Sequence, residues 1–191
     1  MSRSLRRWQS RNRRALDGIE VAYQLASSTM PRRGPVAEQI KQAYVVLLSS
    51  WFQAFCRDLH TECIEHLTAT ISHPAVRMIV RQRMMEARKL ETGNPNPGNL
   101  GADFGRLGIE LWPVLLARDH QARARQEALG KLNRWRNAVA HQDFSSAFLQ
   151  GRKRVRLREV REWRQVCESL AVDFERVMYD HLLSATGTRP W

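Results

Sequence analysis

No run of apolar residues in this 191-residue chain approaches the roughly 20 needed to cross a bilayer; the longest, around Val45 to Leu48, is only a helix segment. A membrane span is therefore not expected. Cysteine is scarce: Cys56, Cys63 and Cys167 are odd in number and scattered over segments of helical pattern, which argues against a disulfide framework and for a reducing, cytoplasmic compartment. Strand-like alternation is missing, as are repeats of about 20 to 50 residues. There is no glycine-rich phosphate loop, no paired Cys-x2-Cys motif and no Ser-His-Asp signature. Lysine is scarce too. Of the 31 cationic residues 27 are arginine, set against 19 carboxylates, for a net charge of +12. Such a field draws in polyanions, and arginine's planar fork matches phosphate bidentately and stacks on bases. Arg-rich codon usage accounts equally well for the ratio of arginine to lysine, but the net charge points to nucleic acid as partner.

The length fits one domain with a sizeable buried core. Residues 4–27 carry Leu5, Trp8, Ala15, Leu16, Ile19, Ala22, Tyr23 and Ala26 near helical spacing, with arginines opposite. This amphipathic helix either packs on the core with a solvated basic face or touches RNA directly. It lacks the apolar core of a signal peptide, and Asp17 and Glu20 weaken a transit-peptide reading. Residues 31–35, from Pro31 to Pro35, break the chain. Residues 35–71 predict one long helix ended before Pro74, and residues 75–90 another stopping near Gly93. Residues 94–99 (NPNPGN) predict a turn-rich loop before a short helix over residues 100–107. Residues 109–116, interrupted by Pro113, are ambiguous. Asp119 is the expected N-cap of a helix running to His141, residues 144–155 a basic loop, and residues 158–183 a last helix whose stripe runs Val160, Trp163, Cys167, Leu170, Phe174, Val177, His181. The expected fold is all-α: one helical bundle over residues 1–191, with a basic amphipathic helix in 1–30 and a core bundle in 31–191.

On the helix ending at His141, Leu129, Leu132, Val139 and Ala140 form an apolar stripe, and Arg136 falls inside it. A guanidinium there is costly unless it is paired or lines a wet, anion-accepting groove. Asn137 and His141 share a face at the stripe's edge, roughly 140° round from Arg136 at the far side. Together the three describe a polar pocket beside a packed seam. Spacing alone proves little, since chance gives roughly one Arg-x4-His pair in such a composition, and Arg176 with His181 is a second. His181, however, sits on its own helix's apolar stripe and reads as a seam histidine.

The segment Arg136-Asn137-Ala138-Val139-Ala140-His141 resembles the Arg-polar-x3-His motif of the HEPN superfamily, helical domains common in bacterial toxins and antiviral systems. The long helix with Leu48-Ser49-Ser50-Trp51-Phe52-Gln53-Ala54-Phe55, the Asn94-Pro95-Asn96-Pro97 loop before Leu107-Gly108-Ile109, and the ending Thr186-Gly187-Thr188-Arg189-Pro190-Trp191 are similar to the RiboL-PSP type of HEPN protein. The resemblance implies a homodimer whose paired motifs meet at a shared cleft, metal-independent RNA cleavage without a cofactor, and a toxin or defence-system partner. Arg136 and His141 are then catalytic. His141 serves as base to the ribose 2′-hydroxyl or acid to the leaving 5′-oxygen, Arg136 holds the phosphate, and Asn137 orients one or the other. Two departures stand out: relatives often carry Glu where this chain has Gln53, and some place a Tyr two residues after the His, where this chain has Asp143. The first keeps open a different class of function, a catalytically silent helical module that dimerises and binds RNA or a protein.

Two further constellations compete. His60, Glu62, Cys63 and His66 gather metal-capable side chains on the long helix, but Cys63 continues the apolar stripe and one helix rarely completes a site, so no metal site is expected. The run Arg152-Lys153-Arg154, with Arg156 and Arg158, either grips RNA backbone or is simply solvated.

Overall fold

The computed structural model describes residues 1–29 and 34–191, and these form an all-α bundle. Its axis is α3 (Pro35–Ala69), 35 residues long, opened by Pro35 in its first turn and free of glycine and internal proline. Tyr44, Leu48, Phe52, Phe55, Leu59 and Cys63 are buried along it. The break expected over residues 31–35 falls largely on residues 30–33, outside the described residues.

Ahead of α3 lie α1 (Arg3–Arg7), a π-turn (Trp8–Asn12) and α2 (Arg13–Thr29). The π-turn inserts extra chain, so the apolar face is re-phased: Leu5, Trp8 and Leu16 are buried, whereas Ala22, expected on the stripe, is exposed along with Val21 and Leu25. Arg3 and Arg7 pair with Glu65 and Asp58 on α3. The backbone amides of Arg3 and Ser4 donate to Glu62 at 2.8 and 2.7 Å. Two of the six N-terminal arginines are therefore neutralised by the core helix they pack on, while Arg6, Arg11, Arg13 and Arg14 have no carboxylate among the described residues.

After α3 come α4 (Pro74–Met85), α5 (Lys89–Thr92), α6 (Pro97–Gly105) and α7 (Leu111–Arg118). The helix expected to run to residue 90 stops at Met85, because Ala87 takes a left-handed φ of 53° and Arg88 turns into the interior. There its Nη1 donates to the Arg57 carbonyl and Thr61 Oγ1, and Nη2 to Glu91. The loop expected over residues 94–99 is shorter, since Asn96 caps α6 by accepting from the Asn99 amide at 2.9 Å, with Pro97 in the first turn. Pro113 is accommodated in the first turn of α7, where its missing N–H costs nothing.

The long helices α8 (Ala122–His141) and α9 (Leu157–Thr186) close the bundle against α3. Asp119 does not cap α8 directly: its carboxylate accepts from the Gln121 amide at 2.8 Å and the helix begins at Ala122. The α9 stripe is buried from Val160 to Val177. His181, half-buried, lies 2.8 Å from the Leu107 carbonyl, so its Nε2 donates there. Phe174 is the hub of the core, with Phe52, Phe104 and Trp112 ring centroids 6.1, 6.0 and 5.5 Å away. No described helix is long and apolar enough to cross a membrane.

Candidate functional site

The last three turns of α8 carry the candidate residues. Leu129, Leu132, Asn133, Trp135, Ala138 and Val139 are buried. Ala140, expected on the apolar stripe, is instead exposed, as is everything from Ala140 to Asp143. Ala138 and Val139 are the last buried residues of the helix. The face that is core upstream thus meets solvent at its C-terminal end, and Arg136 sits at that transition, half-buried.

Six described arginines are not fully exposed. Five of them, Arg57, Arg88, Arg125, Arg152 and Arg164, each stand within ion-pair distance of a carboxylate. Arg136 is the sixth, and among the described residues no carboxylate pairs with it. Its Nη1 donates to Asn137 Oδ1 at 3.2 Å. Of the five N–H donors a guanidinium offers, the others have no protein partner among the described residues. This is a partly desolvated cation left open to an anion.

Asn137 belongs to a second network that the sequence did not advertise. Its Oδ1 also accepts from Asn94 Nδ2 at 2.9 Å, tying the 94–96 loop to α8. Asn94 is held in turn: its Oδ1 accepts from Asn96 Nδ2 and its carbonyl from Asn99 Nδ2, each at 2.8 Å. Asn133, buried, donates to the Pro95 and Leu129 carbonyls at 3.1 and 2.9 Å and accepts from Ser49 Oγ at 3.3 Å. Gln53, from α3, donates to the carbonyls of Leu90 and Gly93 at 2.8 and 2.7 Å. Gly93 leaves room for this bonding, since a Cβ there would stand 2.6 Å from Asn99 Nδ2 and 3.0 Å from the Lys89 carbonyl and would displace the Asn99 amide. Gln53 is therefore a support beneath the loop, with both its amide N–H donors spent on backbone. A carboxylate in its place would face two carbonyl oxygens.

His141 is the last residue of α8 and is exposed. Its backbone is fixed by a Schellman closure: the Asp143 amide donates to the Ala138 carbonyl at 3.0 Å and the Gln142 amide to the Val139 carbonyl at 3.3 Å, with Gln142 at φ 52°. Gln142 Nε2 donates to that same Val139 carbonyl at 2.8 Å. The imidazole itself has no hydrogen-bond partner among the described residues. Asp143 accepts from the Ser145 hydroxyl and amide at 2.6 and 2.9 Å. Those bonds, with a smaller pull from His141, hold its carboxyl below the usual value. The structure joins Arg136 to Asn137, places His141 one turn on from Asn137, and forms no direct contact between Arg136 and His141.

The rival constellation is committed elsewhere. His60 is buried, its Nε2 donating to the Asp103 carbonyl at 2.9 Å. His66 lies 3.0 Å from Thr186 Oγ1, and Glu62 receives the α1 amides. Among the described residues no three His, Cys, Asp or Glu side chains gather as a metal site. All three cysteines are free and buried, and burial raises their thiol pKa values, so none is a nucleophile. Sequence reasoning singles out Gln53 only as a departure from the glutamate of relatives, and misses Asn94 and Asn133 as parts of the site. The available signal was an asparagine at position 133 on the face that buries Leu129 and Leu132. Searches against family models, curated proteins and solved structures return no match to this chain.

Proposed function

We propose that the chain is a metal-independent endoribonuclease of the HEPN type, with Arg136 and His141 catalytic and Asn137 positioning. The observation that carries this reading is the half-buried Arg136 guanidinium without a carboxylate, in a molecule that pairs its other shielded arginines. Beside it stand an unengaged imidazole and a fixed asparagine. The charge of +12 supplies the attraction for a polyanion.

The reaction uses no outside reactant. The ribose 2′-oxygen attacks the adjacent phosphorus as its proton passes to an imidazole nitrogen, and the bond from phosphorus to the 5′-oxygen breaks as that oxygen takes up a proton. The products are a 2′,3′-cyclic phosphate and a 5′-hydroxyl. A two-fold homodimer supplies one His141 as base and the other as acid, while Arg136 meets the charge that builds on the phosphoryl oxygens. A toxin or antiviral-defence setting, with a partner that restrains the activity, follows from the same reading.

The test compares wild type with Arg136→Ala and His141→Ala, following RNA integrity and RNA binding in each. His141 is exposed and Arg136 half-buried, and neither belongs to the buried core, so the variants are expected to fold. Cleavage lost by at least about a hundredfold, with binding by His141→Ala retained, is the expected result. Equal behaviour of all three proteins favours the silent binding module.

A further inference from the structure

Gly130 lies in the middle of α8, where glycine is among the poorest helix formers. Packing does not require it: a Cβ built there meets nothing within 4 Å, and its φ is not positive. It lines an open groove of about 550 Å³ between α8 and the 94–97 loop. Amide side chains border that groove at Asn94, Asn96, Gln126 and Asn137, with Lys131 and Arg134 as its cations and Glu127 as its one carboxylate. Gln126 and Lys131 have no hydrogen-bond partner among the described residues. Arg134 is stacked 4.0 Å over the Phe148 ring. Gly130, Arg134, Asn137 and His141 are spaced i, i+4, i+7 and i+11, so they share one helix face, over about 16 Å at 1.5 Å per residue.

From this geometry we infer that the groove seats an unpaired nucleobase of a single-stranded RNA, flanking the phosphate held at Arg136 and His141. The bare backbone at Gly130 is the floor on which the flat ring lies. Gln126, unengaged, offers a donor and an acceptor to a base edge, Asn137 Nδ2 adds a further donor, and Lys131 faces the strand's phosphates. Paired bases turn their edges inward and cannot enter such a groove. A protein partner fits less well, since among the described residues none of the exposed large apolar side chains lines it and an interface core needs such anchors. The assignment of the flanking phosphate rests on the ribonuclease reading; the base seat itself does not.

Binding is therefore measured on a His141→Ala background, which reads affinity whether or not the wild type cuts. A labelled single-stranded oligoribonucleotide and a duplex of equal length are titrated against the parent, Gly130→Ala and Gly130→Leu. Both substitutions should raise Tm, Gly130→Ala by about 2–4 °C, because the position is open and helical. Single-strand affinity should nevertheless fall, by about tenfold for Gly130→Leu, and the parent should prefer the single strand over the duplex. Unchanged affinity in both variants, preference for the duplex, or no binding by the parent overturns the inference. Glycine-dependent binding by a protein whose wild type leaves RNA intact would sink the nuclease reading and leave the base seat standing.

Discussion

His60 is held in the core as a neutral ring, its Nε2–H on the Asp103 carbonyl and its Nδ1 3.4 Å from the buried Arg88 guanidinium. Burial drives its pKa down to about 4, assisted by the charge of Arg88. A folded-state value below the unfolded value of about 6.5 means that the unfolded chain binds the extra proton. The stabilisation is complete above pH 6.5 and is lost as pH falls from there towards 4, in total roughly 3 kcal/mol. Thermal unfolding should show Tm falling across that window, and His60→Gln should flatten the dependence while lowering the plateau. At Gln53 the same scale of reasoning gives a second expectation. Gln53→Glu sets a carboxylate against the Leu90 and Gly93 carbonyls and should cost about 2 kcal/mol by denaturant titration, with faster amide exchange in the 90–96 segment. An unchanged midpoint would show that the glutamine is not the loop's support.

At the scale of elements, the end of α4 is set by tertiary structure. Ala87, itself a good helix former, is forced to φ 53° so that Arg88 reaches Arg57 and Thr61. Ala87→Gly relieves that backbone and should add about 1 kcal/mol to unfolding stability. The basic loop before α9 is likewise divided by its partners. Arg152 is clamped by Glu159 and Arg158 paired with Glu162, which leaves Lys153, Arg154 and Arg156 without carboxylates among the described residues. If that loop grips RNA backbone, replacing Lys153 and Arg154 by Ala should flatten the dependence of log affinity on log salt by about 1.5. An unaltered slope assigns the loop to solvent.

The helices themselves were legible where apolar period and punctuation agreed: α3 from Pro35, and α9 from the stripe Val160 to Val177. They were illegible where a distant partner decided, as at Ala87, at the π-turn that re-phases Trp8 to Leu16, and at the exposed Ala140. Within the candidate site, period alone singled out Arg136 as a cation on a buried face. It could not show that Asn94, forty-odd residues upstream, meets Asn137, because no local pattern encodes that contact.

Over the whole molecule, ion pairs tie α1, α2 and α9 to their neighbours and leave the net charge of +12 in place, and the open end of α8 keeps a half-buried Arg136 without a carboxylate five residues before a partnerless His141. The central claim is that this end performs phosphate chemistry with side chains alone. The most direct measurement is end-group analysis of RNA incubated with the purified protein in excess EDTA, beside the Arg136→Ala and His141→Ala variants. Fragments bearing 2′,3′-cyclic phosphate and 5′-hydroxyl ends with wild type, and intact RNA with either variant, are the predicted result. Cleavage that needs added magnesium, or that survives loss of His141, contradicts it.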